Sequence, residues 1–134
     1  MSPRNRLLAA RILSVLYLAA VLWLCFGQFD NTPDVPRSLW GIPMDKIVHF
    51  LMFLPFPILA YFAFDRYSEK FWPSVLLAMA AFVAGLLFAA GTEVGQARLT
   101  TYRSGDPLDF RADLLAMAAG TCIVILLKLR KLRK

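Results

Sequence analysis

The stretch Met44–Phe50, "MDKIVHF", places an acid, an ammonium and an imidazole within five positions at the head of an apolar run. Asp45 and His49 stand four apart, the spacing that puts two side chains on one face of a helix about one turn apart. Two further segments carry similar groups: Glu93 and Gln96 in "TEVGQ", and Asp109 and Asp113 in "LDFRAD". This set allows two kinds of chemistry. His49, Glu93 or Asp113 can exchange protons as general acid or base, and these three are the candidate catalytic residues. Lys46 and the loop residue Arg103 can hold an anion through charge-assisted bonds. With Asp45, Gln96 and Asp109 they form the candidate binding set. The acids outnumber the cations, which disfavours a simple anion site. A divalent ion bridging Glu93, Asp109 and Asp113 to phosphate would offset that surplus. No ligand motif supports such an ion, so neither a metal nor a cofactor is expected. There is no Gly-x-Ser-x-Gly elbow, phosphate-binding glycine loop or His-rich motif. Nearby hydroxyls are limited to Thr92, Thr100, Thr101 and Ser104, and a covalent nucleophile is not evident.

Apolar segments must position these groups. With 59% apolar residues and a mean hydropathy of +0.59, the 134-residue chain is too apolar for an ordinary soluble domain. The apolar residues are blocked into runs long enough to cross a bilayer, about 20 residues each. The runs predict spanning helices over Leu7–Phe26, Asp45–Phe64, Pro73–Gln96 and Asp109–Leu129, in a single domain of 1–134. Pro55 and Pro57 fall inside the second span, where neighbouring helices can satisfy the freed carbonyls, so a kinked span is expected. The N-terminus has a basic start and an apolar run like a signal peptide but no small-x-small cleavage site, which points to an uncleaved anchor. Cys25 and Cys122 lie in apolar runs without ligand-like spacing and predict neither a zinc site nor a disulfide framework.

Charge sets the expected orientation. The N-terminal segment, second connector and C-terminal tail hold ten Lys and Arg, and the other side holds five. The acids divide two against seven, giving sums of +8 and −2. Both termini are therefore expected in the cytoplasm. Most of the +6 net charge reads as a topology signal and an anionic-lipid anchor, with no nucleic-acid partner implied. With this topology Asp45, His49, Glu93, Gln96, Asp109 and Asp113 reach the outer membrane depth from three helices. Stripes of small residues lead up to the acids: Gly85, Ala89 and Thr92 below Glu93, and Ala116 and Gly120 below Asp113. Such stripes mark close helix approach, so the acids should point into the bundle. An unpaired charge costs ~3 kcal/mol or more at the bilayer centre, which calls for partners, water or a polar ligand. Plainer roles are also open: Asp45 and Asp109 as N-caps, Lys46 and Arg111 as snorkelling side chains, and Arg103 and Asp106 as solvated loop charges.

Taken in order, "DKIVHF", "TEVGQ" and "RSGDPLDFRADLLAMAAG" resemble the VanZ-like family, named after a teicoplanin-resistance protein. That family's pattern is D-K-x-x-H-F, then E-x-x-Q, then a loop Arg followed by D-x-x-A-N-x-x-G. By position it covers Asp45, Lys46, His49 and Phe50, then Glu93 and Gln96, then Arg103, Asp109 and Ala112. Asp113 stands where Asn is usual, and Ala116 where Gly is usual. The likeness spans Met44 to Gly120. It implies a small multi-pass protein of the bacterial cytoplasmic (inner) membrane, related to glycopeptide resistance, and names no substrate. The expected fold is all-α, an integral membrane four-helix bundle. Three functions compete. The polar cluster binds a lipid or lipid-linked cell-wall precursor headgroup, with or without catalysis. Alternatively it locks a non-enzymatic scaffold that binds another membrane protein. Transport fits less well, because the inner half of the four spans offers no ionisable path.

Overall fold

The computed structural model describes residues 2–27, 37–64, 70–101 and 105–133. Its helices are α1 (Pro3–Phe26), α2 (Met44–Phe53), α3 (Pro55–Phe64), α4 (Phe71–Leu99) and α5 (Pro107–Leu132). With α2 and α3 taken together, four helices are long and apolar enough to cross a membrane. Each begins before the predicted span does, and at α1 and α5 a capping side chain followed by proline explains the earlier start. Ser2 accepts a hydrogen bond from the Asn5 amide (3.2 Å) with Pro3 as the first helical residue, so α1 starts four positions ahead of Leu7. At α5, Asp106 caps through Oδ1 to the Leu108 amide (2.8 Å) ahead of Pro107.

The second span is interrupted at Leu54, between α2 and Pro55. Neither Pro55 nor Pro57 has an amide hydrogen to give the preceding turn. Nearby, the Tyr17 hydroxyl on α1 donates to the Met52 carbonyl (2.6 Å), tying α1 to the kink. The kink brings backbone against α5. A Cβ on Gly120 would lie 2.6 Å from the Leu54 carbonyl oxygen, so only glycine allows this approach. Arg11 on α1 donates to the Ala63 carbonyl in the last turn of α3 (3.1 Å), where a cation also suits the helix dipole.

α5 is the most buried of the spans and packs on α2, α3 and α4, whereas α1 lies to one side, mainly against α3. The centre is aromatic and small-residue packing. Phe53 is fully buried and meets Phe88 (5.9 Å between centroids), which stacks on Phe56 (5.8 Å). Gly85, Ala89, Ala116 and Gly120 are buried where helices meet. Large apolar residues such as Leu16, Leu76 and Leu87 are exposed along the outside, which is the inverse of a water-soluble bundle. Ahead of α2, Ser38–Leu39 pairs antiparallel with Ile42–Pro43 around a two-residue turn in which Trp40 and Gly41 both have positive φ. The turn and breaker residues of this connector predict a loop, and a hairpin was not anticipated.

Candidate functional site

The head of α2, the last turns of α4 and the head of α5 meet at one end of the bundle. Here the sequence places Asp45, Lys46, His49, Glu93, Asp109 and Asp113 on separate helices, and the fold brings them into a single cluster with two tiers.

The first tier centres on Lys46. Its ammonium donates to Asp45 Oδ2 (2.7 Å), Asp106 Oδ2 (2.6 Å) and Asp109 Oδ1 (2.5 Å). Lys46 therefore does not snorkel, and its three N–H donors are engaged. The ammonium also holds the Asp106 carboxyl below the ordinary carboxylate range, with help from the Leu108 amide. Two N-cap expectations are corrected here. α2 starts at Met44 after Pro43, which places Asp45 in the first turn rather than at the cap. α5 starts two residues before Asp109, so Asp106 takes the cap and Asp109 is free for Lys46. Asp106 is the residue that sequence reasoning undervalued as a loop charge. Its signal was the Asp-Pro pair, an N-cap residue followed by proline at the first helical position.

The second tier centres on His49, which is 5% exposed and stacks on the Phe53 ring. Nδ1 lies 3.1 Å from Asp113 Oδ1 and 3.8 Å from Glu93 Oε1; Nε2 lies 3.6 Å from Asp109 Oδ2. Only the first is a hydrogen bond by distance. A carboxylate accepts, so Nδ1 donates to Asp113. Asp109 thus divides its oxygens, Oδ1 to Lys46 and Oδ2 toward His49. Glu93 accepts from the Asp106 amide through Oε2 (3.0 Å), while its Oε1 is buried without a hydrogen-bond partner among the described residues. Asp113, fully buried, likewise leaves Oδ2 unpartnered. Gly105 makes the Glu93 contact possible. A Cβ there would stand 2.8 Å from the Glu93 carbonyl oxygen, so the loop could not lie so close to α4.

Gln96 is not drawn into this cluster. It is buried, and its Nε2 donates to the Cys25 carbonyl (3.0 Å), tying α4 to the end of α1. Arg103 lies outside the described residues. Ala112 and Ala116 are buried beside Asp113 on α5. A groove of about 340 Å³ adjoins the cluster, lined by Glu93 and Asp106 with Ala90, Val94, Ala97 and Phe110.

Among the described residues, five carboxylates (Asp45, Glu93, Asp106, Asp109, Asp113) thus share the site with one lysine and one histidine. Ligand atoms of His49, Glu93 and Asp109 lie within 4.8 Å of one another, as do those of Asp45, Asp106 and Asp109 around Lys46. No family model, curated protein or solved structure matches the chain.

Proposed function

We propose that this is a VanZ-like multi-pass protein of the bacterial cytoplasmic membrane, with both termini in the cytoplasm, and that its polar end binds the headgroup of a lipid or lipid-linked cell-wall precursor. Its relation to glycopeptide (teicoplanin) resistance follows from the family likeness. The observation that carries the reading is the juxtaposition of buried, under-partnered carboxylates with a side groove between α4 and α5. An apolar groove with a few convergent polar groups at its rim is the usual form of a small-molecule site. Intramembrane ionisable groups that lack full partners are functional by default.

The engagement of Lys46 alters the chemistry expected of the ligand. With its donors taken by three carboxylates, Lys46 is a poor anchor for phosphate. Among the described residues, the unpartnered side-chain atoms of the cluster are the acceptors Glu93 Oε1 and Asp113 Oδ2, which suit hydroxyl, amide or ammonium donors of a headgroup. A second reading, a non-enzymatic scaffold, is favoured by the Lys46 bridge itself, which joins α2 to α5 as a structural ion pair would.

Full-length protein purified in nanodiscs and incubated with extracted envelope lipids distinguishes these readings by mass spectrometry. Turnover of a lipid supports an enzyme, and specific co-purification without turnover supports a binder. In a glycopeptide-susceptibility assay, Glu93→Gln and His49→Ala are expected to abolish the phenotype at unchanged membrane insertion. Wild-type behaviour of both variants, with no lipid retained, would leave only the scaffold.

A further inference from the structure

The second tier poses a chemical problem. With Nδ1 donating to Asp113, Nε2 of a neutral imidazole carries a lone pair. That lone pair faces the Asp109 carboxylate oxygen at 3.6 Å. Two acceptors at this distance, largely shielded from water, repel each other unless a proton or a metal cation stands between them; a proton on Nε2 answers Asp109 but leaves Glu93 Oε1 still without a hydrogen-bond partner among the described residues. Lys46 does not serve, because it holds the other oxygen of Asp109. Glu93 Oε1 adds a third unsatisfied acceptor, on a residue only 9% exposed.

We infer that His49, Glu93 and Asp109 bind one divalent transition-metal ion, of which Zn²⁺ is the best fit. One imidazole with two carboxylates is a donor set suited to zinc rather than to calcium or magnesium, which prefer oxygen alone. Tetrahedral zinc with bonds of about 2.0–2.1 Å holds neighbouring donors roughly 3.3 Å apart. The Nε2–Oδ2 distance of 3.6 Å is too long for a hydrogen bond and close to that spacing. One donor atom from each residue lies within 4.8 Å of the others; Glu93 Oε1 is 3.8 Å from Nδ1, so its side chain must turn toward Nε2 to complete the set.

The surroundings match what a ligated histidine requires. A metal-bound imidazole donates its other ring N–H to a carboxylate, which fixes tautomer and orientation. Asp113 is placed for that at 3.1 Å from Nδ1. Each ligand carboxylate is held through its remaining oxygen, Asp109 by Lys46 and Glu93 by the Asp106 amide. The other acidic group, Asp45, Asp106 and Asp109, already has its cation in Lys46. Three protein ligands leave a coordination position open. Glu93 also lines the groove, so an occupant of the groove would meet the ion's ligand shell. The inference stands on these contacts alone and does not depend on headgroup binding.

Tag-free, chelator-stripped full-length protein in detergent, without added lipid, tests it. Titrated with Co²⁺ as a visible stand-in, it should take up one equivalent with d–d absorption that Zn²⁺ then displaces. His49→Ala and Glu93→Gln should each weaken binding by at least about 10-fold, and Asp113→Asn by about 10- to 100-fold, as loss of the supporting carboxylate does elsewhere. Zinc-edge X-ray absorption of the wild-type protein needs no variant and should report one imidazole among oxygen donors. Absence of a saturable site, affinity unchanged in both ligand variants, or a zinc shell without imidazole would overturn the assignment.

Discussion

The Lys46 tier and the His49 tier lie one helical turn apart and are built from similar side chains, yet they are finished differently. Around Lys46 each contact is 2.5–2.7 Å, and the three carboxylates surround one ammonium on the more exposed side of the cluster. Around His49 the contacts lengthen to 3.1–3.8 Å, burial deepens, and two carboxylate oxygens lack partners. A purely structural network would be expected to close its bonds where water is scarcest, since unmet acceptors cost most there. This cluster does the reverse. Under the proposed function, the difference gives cohesion to the first tier and ligand chemistry to the second.

Substitutions can break that division or sharpen it. The largest stability effect should come from Lys46→Met, which leaves Asp109 facing Asp106 and His49 without its cation. A loss of about 2 kcal/mol is expected in thermal or denaturant unfolding in detergent, below the ~3–5 kcal/mol of a fully buried pair because the tier reaches solvent. Glu93→Gln should do the opposite. It keeps an oxygen for the Asp106 amide and removes a buried charge, so stability should stay within about 1 kcal/mol while function is lost. Equal destabilisation by both changes would erase the contrast between the tiers. Asp45→Asn, at the exposed rim, should cost only about 0.5 kcal/mol, and a larger penalty would extend the cohesive tier outward. The smallest effect is a pH dependence. Because Lys46 lowers the Asp106 carboxyl, that contribution is complete above the ordinary carboxylate range and is lost as pH falls through the lowered value. The thermal midpoint should therefore drop on acidification below ~pH 4, and less steeply in Asp106→Asn.

Much of this architecture was legible in the sequence for physical reasons. Long apolar runs announce helices of spanning length, and the i, i+4 spacing of Asp45 and His49 sets them on one face. The small residues below Glu93 and Asp113 marked the buried sides, because close packing admits little else. Pairings were less accessible. That Lys46 reaches Asp106 and Asp109, some sixty residues away, depends on how α2 and α5 cross, which no local pattern encodes. Gln96 falls in the candidate binding set by its place on the face of Glu93, yet its amide turns to the Cys25 carbonyl because α1 ends there. The Trp40–Gly41 hairpin went unseen because its strands are only two residues each, too short for alternation to register.

The seat of Gly120 against the Leu54 carbonyl bears on all of this from a distance. Gly120 lies seven residues along α5 from Asp113, two turns or about 10.5 Å. By docking into the break between α2 and α3, it acts as a depth stop that fixes the axial register of α5. Asp109 and Asp113 are themselves one turn apart, so a slip of one turn, about 5.4 Å, would put one of them in the other's place and mismatch both the Lys46 and the His49 contacts. The alignment of the charged tiers is thus gauged by a contact between backbones that carries no charge.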